Sequence, residues 1–461
     1  MKEIKRNQTA NKKNKILRLA AFFCIVCTLI TATSCKYVNE IVEVVTKQEV
    51  VNHEIVINQA DKSELPDFVA DLVRLDEVFR AYSYSGYEEE DFGERLLKYY
   101  IAATGDMYAE YMNAEEYEEY NSDSAGEFVG IGISIIDTSL EINGYKYKTM
   151  QVISVFENSP ALESGVKVGD HIVYAGGAED RELVDSIGYD KALSKMRGEA
   201  GTIAEFVVYR PDKSEMSGFQ IIEFAIERRK VTTESVRYRL SESDSTVGIV
   251  NITSFDQTTA TQLKKAVNAL KGMGCEYFVF DVRNNPGGAL ASIEVVLSYF
   301  LNYNDLIIGI EYGDGTAVAD YVRPLNYGPM YEGFNVSANE IGMYRDLKSV
   351  VLTNENTASA AELFTATFRD YGIAKIVGAK TYGKGCMQTI IPLEEFGLEG
   401  GLRVTTAMYF SASRKIYHEI GIEPDYAVEL PEEAYEYNFF VLPEELDTQL
   451  QTAIEVVKGA Q

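Results

Sequence analysis

The stretch "VLTNENTASAAELFTATFRDYGIAKIVGAKTYGKGCMQ" (351–388) decides the fold. It opens on a β-branched run, "SVVLT", and crosses a polar turn. A helical segment from Ser359 to Tyr371 follows, then a second apolar strand, "AKIVGA". Strand, helix and strand in about 30 residues is the signature of a parallel crossover. Upstream, "VGIVNIT" predicts a strand and "TTATQLKKAVNALKG" a helix with Leu263, Ala266, Val267 and Leu270 on one face. "YFVFDV" is a continuous apolar strand, followed by the turn "RNNPGG" and a helix over "ALASIEVVLSYFL". The alternation from about Val231 onward therefore predicts an α/β region with parallel strands. A long surface loop is expected over 313–345, and a terminal helix within "EELDTQLQTAIEVVK" (444–458).

The rest of the chain reads differently. Residues 126–230 consist of short strands, glycine turns and two helices, "SPALESG" and "YDKALSKMRG", which predicts a small β-rich module. Residues 63–125 carry helical apolar spacing at Leu65, Phe68, Val69 and Leu72, at Phe92, Leu96 and Tyr100, and at Met107, Tyr108 and Tyr111. Residues 36–62 read as a tether. Residues 1–35 are a targeting segment: seven Lys or Arg precede "LAAFFCIVCTLITATS", an apolar run too short to span a membrane as a helix. "ATSC" resembles a bacterial lipobox and makes Cys35 the lipidation candidate, although Ala32 stands where Leu is preferred. An uncleaved anchor and an ordinary signal peptide remain the alternatives. All three imply export.

The chain's net charge is −28, and residues 1–34 contribute +6, which leaves −34 for the remainder. Such a surface repels nucleic-acid phosphates, so nucleic acid is not an expected partner. Contact with a membrane is expected only through the N-terminal lipid or anchor. Outside the targeting segment only Cys275 and Cys386 accompany Cys35, in no metal-ligand spacing, so neither a disulfide framework nor a metal is expected.

Gly378, Gly383 and Lys384 reproduce part of a phosphate-binding loop, but Gly385 replaces the hydroxyl that would hold Mg²⁺. The residues that follow read as a strand, not a helix. A nucleotide cofactor is therefore not expected. A lysine in an apolar pocket can instead act as a general base, because burial disfavours its ammonium form. Its candidate partner is Ser359, 25 residues earlier. With Glu362 three positions on, Ser359 can be read as a capping box, or as a nucleophile beside the free amides of a helix start. His53, His171 and His418 lie in unrelated segments and do not suggest a Ser-His-Asp triad. If 383–391 is a strand, Lys384, Cys386 and Gln388 share one face.

With these residues in view, 351–388 resembles the active-site region of the carboxy-terminal processing peptidases, the PDZ-containing tail-specific serine proteases. "GDMYAEYMNAEEYEEY" (105–120), "GEFVGIGISI" to "MRGEAGT" (126–202), "FDVRNNPGGAL" (280–290) and "IGIEPD" (420–425) match further motifs of that family. The resemblance implies a multidomain α/β protein. Its parts are an N-terminal helical region (63–125), a PDZ domain (126–230) and a protease core with a ClpP/crotonase-like sheet (231–461).

By motif position the resemblance makes Ser359 the nucleophile, Lys384 the general base and Gln388 its orienting partner. Asp370 would support the local structure. Backbone amides of Gly288, Gly287 and Ala360 are expected to form the oxyanion hole, since "PGG" leaves its N–H groups unobstructed. Gly130, Ile131, Gly132 and Ile133 would bind the substrate's terminal carboxylate, and Arg197 is a candidate for coupling that event to the site. The implied function is an exported serine endopeptidase acting on proteins with apolar C-terminal tails. The alternative is a non-catalytic PDZ scaffold. A homodimer or an activating partner stays open. Cys386 replaces the family's Ser or Thr; on the strand reading its thiol points into the site, and activity is expected to respond to alkylation.

Overall fold

The computed structural model describes residues 67–82, 92–124, 127–212, 214–215, 217–328 and 333–459. Residues 1–62, with the expected targeting segment, Cys35 and the expected tether, lie outside them. The chain divides into two compact units, residues 1–88 and 89–461. In the first, the described element is the helix Asp67–Tyr82. No described helix is long and apolar enough to cross a membrane.

The second unit is a mixed α/β assembly of several sheets. Its central six-stranded sheet runs Val236–Leu240, Val247–Ile252, Tyr277–Asp281, Lys348–Thr353, Ala374–Gly378 and Tyr426–Ala427 in spatial order. Every neighbouring pair is parallel except the first. The apolar runs of these strands are explained by burial on both faces. Val250, Ile252, Phe278, Phe280, Val351 and Ile376 point toward the helices Thr259–Gly272, Leu290–Ser298 and Ala360–Asp370. The alternate residues Val247, Ile249, Val279, Val350, Leu352 and Val377 pack with Leu450, Ala453 and Ile454 of the helix Thr448–Val457.

That terminal helix is also pinned by charge. Arg283, 3% exposed, donates to Asp281 and to Asp447 at the helix start. The two carboxylates neutralise a guanidinium that would be costly to bury alone.

A second, five-stranded antiparallel sheet carries the lysine segment. Gly401–Phe410 is its axis. Cys386–Pro392 pairs along one side of it; Glu110–Met112 and Leu306–Tyr312 pair along the other, and Ala317–Tyr321 extends the sheet. Here two sequence expectations fail. Residues 106–112 form a turn and a strand instead of a helical stripe, because pairing of Glu110–Met112 with 401–403 outweighs local spacing. The 313–345 stretch is not a plain surface loop either. It contains the strand Ala317–Tyr321, a bridge between Leu325 and Val336, and the buried Val322, Val336 and Tyr344.

The third body is a six-stranded sheet, Ile133–Ile142, Tyr145–Val155, His171–Ala175, Ile203–Pro211 and Phe219–Glu227, with Glu182–Leu183 beside His171–Ala175. Met150, Val152, Ile172, Ala204, Phe206 and Val208 bury one face against Ala192 and Met196 of the helix Tyr189–Met196. Its short helix Pro160–Ser164 is capped by the Ser159 hydroxyl, which accepts the Leu162 N–H, and ends at Gly165 in the left-handed region. A two-stranded ribbon, Glu127–Gly130 with Arg229–Thr232, lies at both chain crossings of this body.

Candidate active site

Ser359 sits between the strand Lys348–Thr353 and the helix Ala360–Asp370, half-buried, with φ 55° and ψ −121°. Few non-glycine residues adopt that conformation, and it persists only where surroundings enforce it. The enforcing group is Glu362, fully buried at 0% exposure. Its carboxylate accepts four hydrogen bonds: from the Ser359 N–H at 3.0 Å, the Thr381 hydroxyl at 2.6 Å, the Gly383 N–H at 2.8 Å and the Lys384 N–H at 2.6 Å. Burial pushes this carboxyl upward, and the four donors oppose that shift by favouring the ionised form. One carboxylate thus joins the start of the serine helix to the lysine turn. In the sequence Glu362 signalled only a capping partner; its long-range contacts carry no local signature.

Lys384 lies two residues before the strand Cys386–Pro392, not on it. Its carbonyl accepts the Tyr409 phenol at 2.8 Å. The amine is half-buried and lies 4.7 Å from the centroid of the Tyr108 ring. Burial lowers its pKa from the ordinary lysine value, with Arg403 acting in the same direction and Glu362 against it. Burial thus favours the neutral form of the amine.

Three backbone amides were expected to face an oxyanion. Gly287 N–H donates to the Asn285 side chain at 2.8 Å and is engaged. Among the described residues, the Gly288 and Ala360 N–H groups have no acceptor. Gly287 has φ 105°, and a Cβ there would come within 2.6 Å of the Ser359 Cβ, so only glycine lets this loop approach the serine. Gly288 is held by its neighbours, since Phe255 N–H donates to Gly287 C=O and Ala289 N–H to Phe255 C=O.

Gln388 does not hydrogen-bond Lys384. Its amide donates to the Cys386 sulfur and the Thr405 hydroxyl, both at 3.2 Å, and Thr405 is in turn held by Asp106. The strand begins only at Cys386, and its register shifts between Met387 and Gln388. The period-two argument for one shared face therefore does not hold. Cys386 is 1% exposed, and burial pushes its thiol pKa upward, which removes the basis for the expected response to alkylation.

Asp370, at the far end of the serine helix, accepts the Ser411 hydroxyl at 2.5 Å and the Ser413 N–H at 2.9 Å. His418 was set aside on sequence grounds, yet its Nδ1 accepts the Gly385 N–H at 3.2 Å beside the lysine. The expected carboxylate loop lies in the β-rich body. Ile131 C=O accepts Ala161 N–H and Gly132 C=O accepts Phe156 N–H, while the amides of Ile131 and Gly132 have no acceptor among the described residues. Gly130 closes the strand before the loop, and Ile133 opens the edge strand after it. Arg197 pairs at the surface with Glu119 at 3.5 Å.

Residues 246–428 match the family model for peptidase family S41. The "Probable CtpA-like serine protease" of Staphylococcus haemolyticus is 27% identical over 78% of this chain and 66% of its own length. The protein of the same name from a Staphylococcus epidermidis strain is 25% identical over 93% of this chain and 77% of its own. A solved structure from Bacteroides fragilis, assigned as an S41 protease, shares the fold. It aligns with a TM-score of 0.53 and 18% identity over 88% of this chain and all of that one. The region that holds both Ser359 and Lys384 is thus a peptidase family S41 domain, and the chain around it is similar, along most of its length, to proteins named CtpA-like serine proteases.

Proposed function

We propose that this chain is an exported serine endopeptidase that captures the C-terminal tail of a protein and cleaves that protein with a Ser359–Lys384 dyad. The observation that carries the reading is the Glu362 carboxylate, which binds the backbone N–H groups of both residues. Ser359 Oγ attacks the scissile carbonyl while its proton passes to the neutral Lys384 amine. The Gly288 and Ala360 amides take the oxyanion. Collapse expels the new amine, which receives the proton from Lys384, and water repeats the sequence on the acyl-enzyme. The base form requires a lysine pKa below its ordinary value, in keeping with the direction that burial imposes on Lys384.

Residues 126–230 act in this reading as a PDZ module. The unpaired amides of Ile131 and Gly132 receive the terminal carboxylate. The tail then adds a strand to the free edge of Ile133–Ile142, alongside the helix Tyr189–Met196. A tail seated there displaces the Tyr189 hydroxyl, which donates weakly to Ile135 C=O at 3.4 Å. Export, and attachment through a lipid on Cys35, belong to the same proposal and rest on the targeting segment.

The test uses one substrate protein with an apolar tail, prepared with a free and with an amidated C-terminus. The free tail is expected to give kcat/KM about 10- to 100-fold higher, the size of a lost charge-assisted hydrogen bond. Equal cleavage of the two contradicts tail capture. Binding of the free tail with no cleavage by the intact enzyme favours the scaffold.

A further inference from the structure

The Lys384 backbone is held firmly, by Glu362 at its N–H and Tyr409 at its carbonyl, but its amine has no carboxylate or hydrogen-bond acceptor among the described residues. What lies against it is the face of Tyr108. That ring comes from a distant segment fastened to the lysine sheet at several points. Asp106 accepts the Thr405 N–H at 2.9 Å, the Thr405 hydroxyl at 3.0 Å and the Tyr108 N–H at 3.0 Å. Arg403 donates to the Tyr108 carbonyl at 3.1 Å and pairs with Glu110 at 2.6 Å. Glu110–Met112 then runs antiparallel to 401–403. This closeness needs glycine, since a Cβ on Gly400 would fall 2.1 Å from the Met112 carbonyl.

We propose that Tyr108 is a positioning residue for Lys384, whose ring face holds the ammonium formed when the lysine has taken the serine proton. The proposal rests on the base reading above and adds a residue to it. An aromatic face is negative and attracts a cation over its centre, more strongly where water is excluded. The phenol stays protonated, with its pKa pushed up to about 12, chiefly by burial, so the ring acts as a neutral quadrupole. It works against burial: burial disfavours the ammonium, and the ring favours it. The other groups that act on the lysine are Glu362 from the serine helix and Cys386 and Arg403 from the two strands; Tyr382 and His418 from the flanking turns lie against Tyr108, and Asp106 acts on Cys386. Replacing Tyr108 also alters its contacts with Tyr382 and His418, so the ring's effect is read by comparing variants that keep the ring's shape. A ring that stabilises the cation raises its pKa, and its removal must lower it.

The experiment uses the full chain with Ser359→Ala, so that the reading needs no catalysis. Trace acetylation with acetic anhydride across pH, quantified by mass spectrometry of the Lys384 peptide, gives the amine's titration midpoint. Tyr108→Phe keeps the ring and is expected to keep the midpoint. Tyr108→Leu is expected to lower it by about 0.4 to 1.5 pH units, the range of a partly buried cation–ring contact. Pentafluorophenylalanine at 108 keeps the shape, reverses the quadrupole and lowers the midpoint as well, so the test stands even if the leucine variant does not fold. A midpoint unchanged or raised in the fluorinated protein overturns the proposal. In the enzyme with Ser359 intact, the acidic limb of kcat/KM moves with that midpoint only if Lys384 is the base. A limb that stays while the midpoint falls contradicts the base reading and leaves the ring contact standing.

Discussion

Ser359→Ala is expected to lower kcat by at least about 10⁴-fold on any protein substrate while the protein stays folded. The backbone reasons for the serine's strained conformation do not involve its hydroxyl. Its N–H still donates to Glu362, and the Gly287 turn still packs on its Cβ. What disappears is the attacking oxygen. The melting transition should therefore stay close to that of the parent, as for a substitution that opens no large cavity. Steady-state hydrolysis and a thermal scan on the same preparation check both halves. Residual activity within tenfold of the parent removes Ser359 from the chemistry.

Glu362→Gln is expected to damage both stability and activity. The carboxylate accepts four donors in a dry site, two through each oxygen. Glutamine keeps one acceptor oxygen and turns an NH₂ group toward two of those donors. The stranded donors should cost about 3–5 kcal/mol, within the range for breaking buried charged networks. Relaxation would move the Ser359 helix start and the Lys384 turn apart. Misplacement of reacting groups by about 1 Å costs on the order of 10²-fold in rate. Denaturant unfolding and kcat together check this. A variant as stable and active as the parent would mean that Glu362 does not clamp the site.

Much of this architecture was legible before the structure. The central sheet announced itself because its strands are buried on both faces and so read as unbroken apolar runs, as in "YFVFDV". The helix Thr259–Gly272 showed its buried stripe through Leu263, Ala266, Val267 and Leu270. The segments around Ser359 and Lys384 were marked by spacing and by their likeness to a family. What stayed hidden depends on long-range pairing. Tyr108 and Tyr111 suit a helical face, and only the partner strand nearly 300 residues later makes their neighbourhood extended. His418 meets Gly385 across 33 residues, through a turn with no local signature. The shared face expected for Lys384, Cys386 and Gln388 rested on strict alternation, which the late strand start and the register shift break. Gly287 and Gly288 look equivalent as letters, yet only Gly287 finds the Asn285 side chain.

The central claim is that Lys384 activates Ser359, and reaction with a fluorophosphonate probe tests it without any choice of substrate. Intact-mass and peptide analysis should find one adduct, on Ser359, in the parent protein. Lys384→Ala should label at least about 10²-fold more slowly, as expected when a positioned general base is removed. Equal labelling of Ser359 in the two proteins, or an adduct on another residue of the parent, would contradict the account.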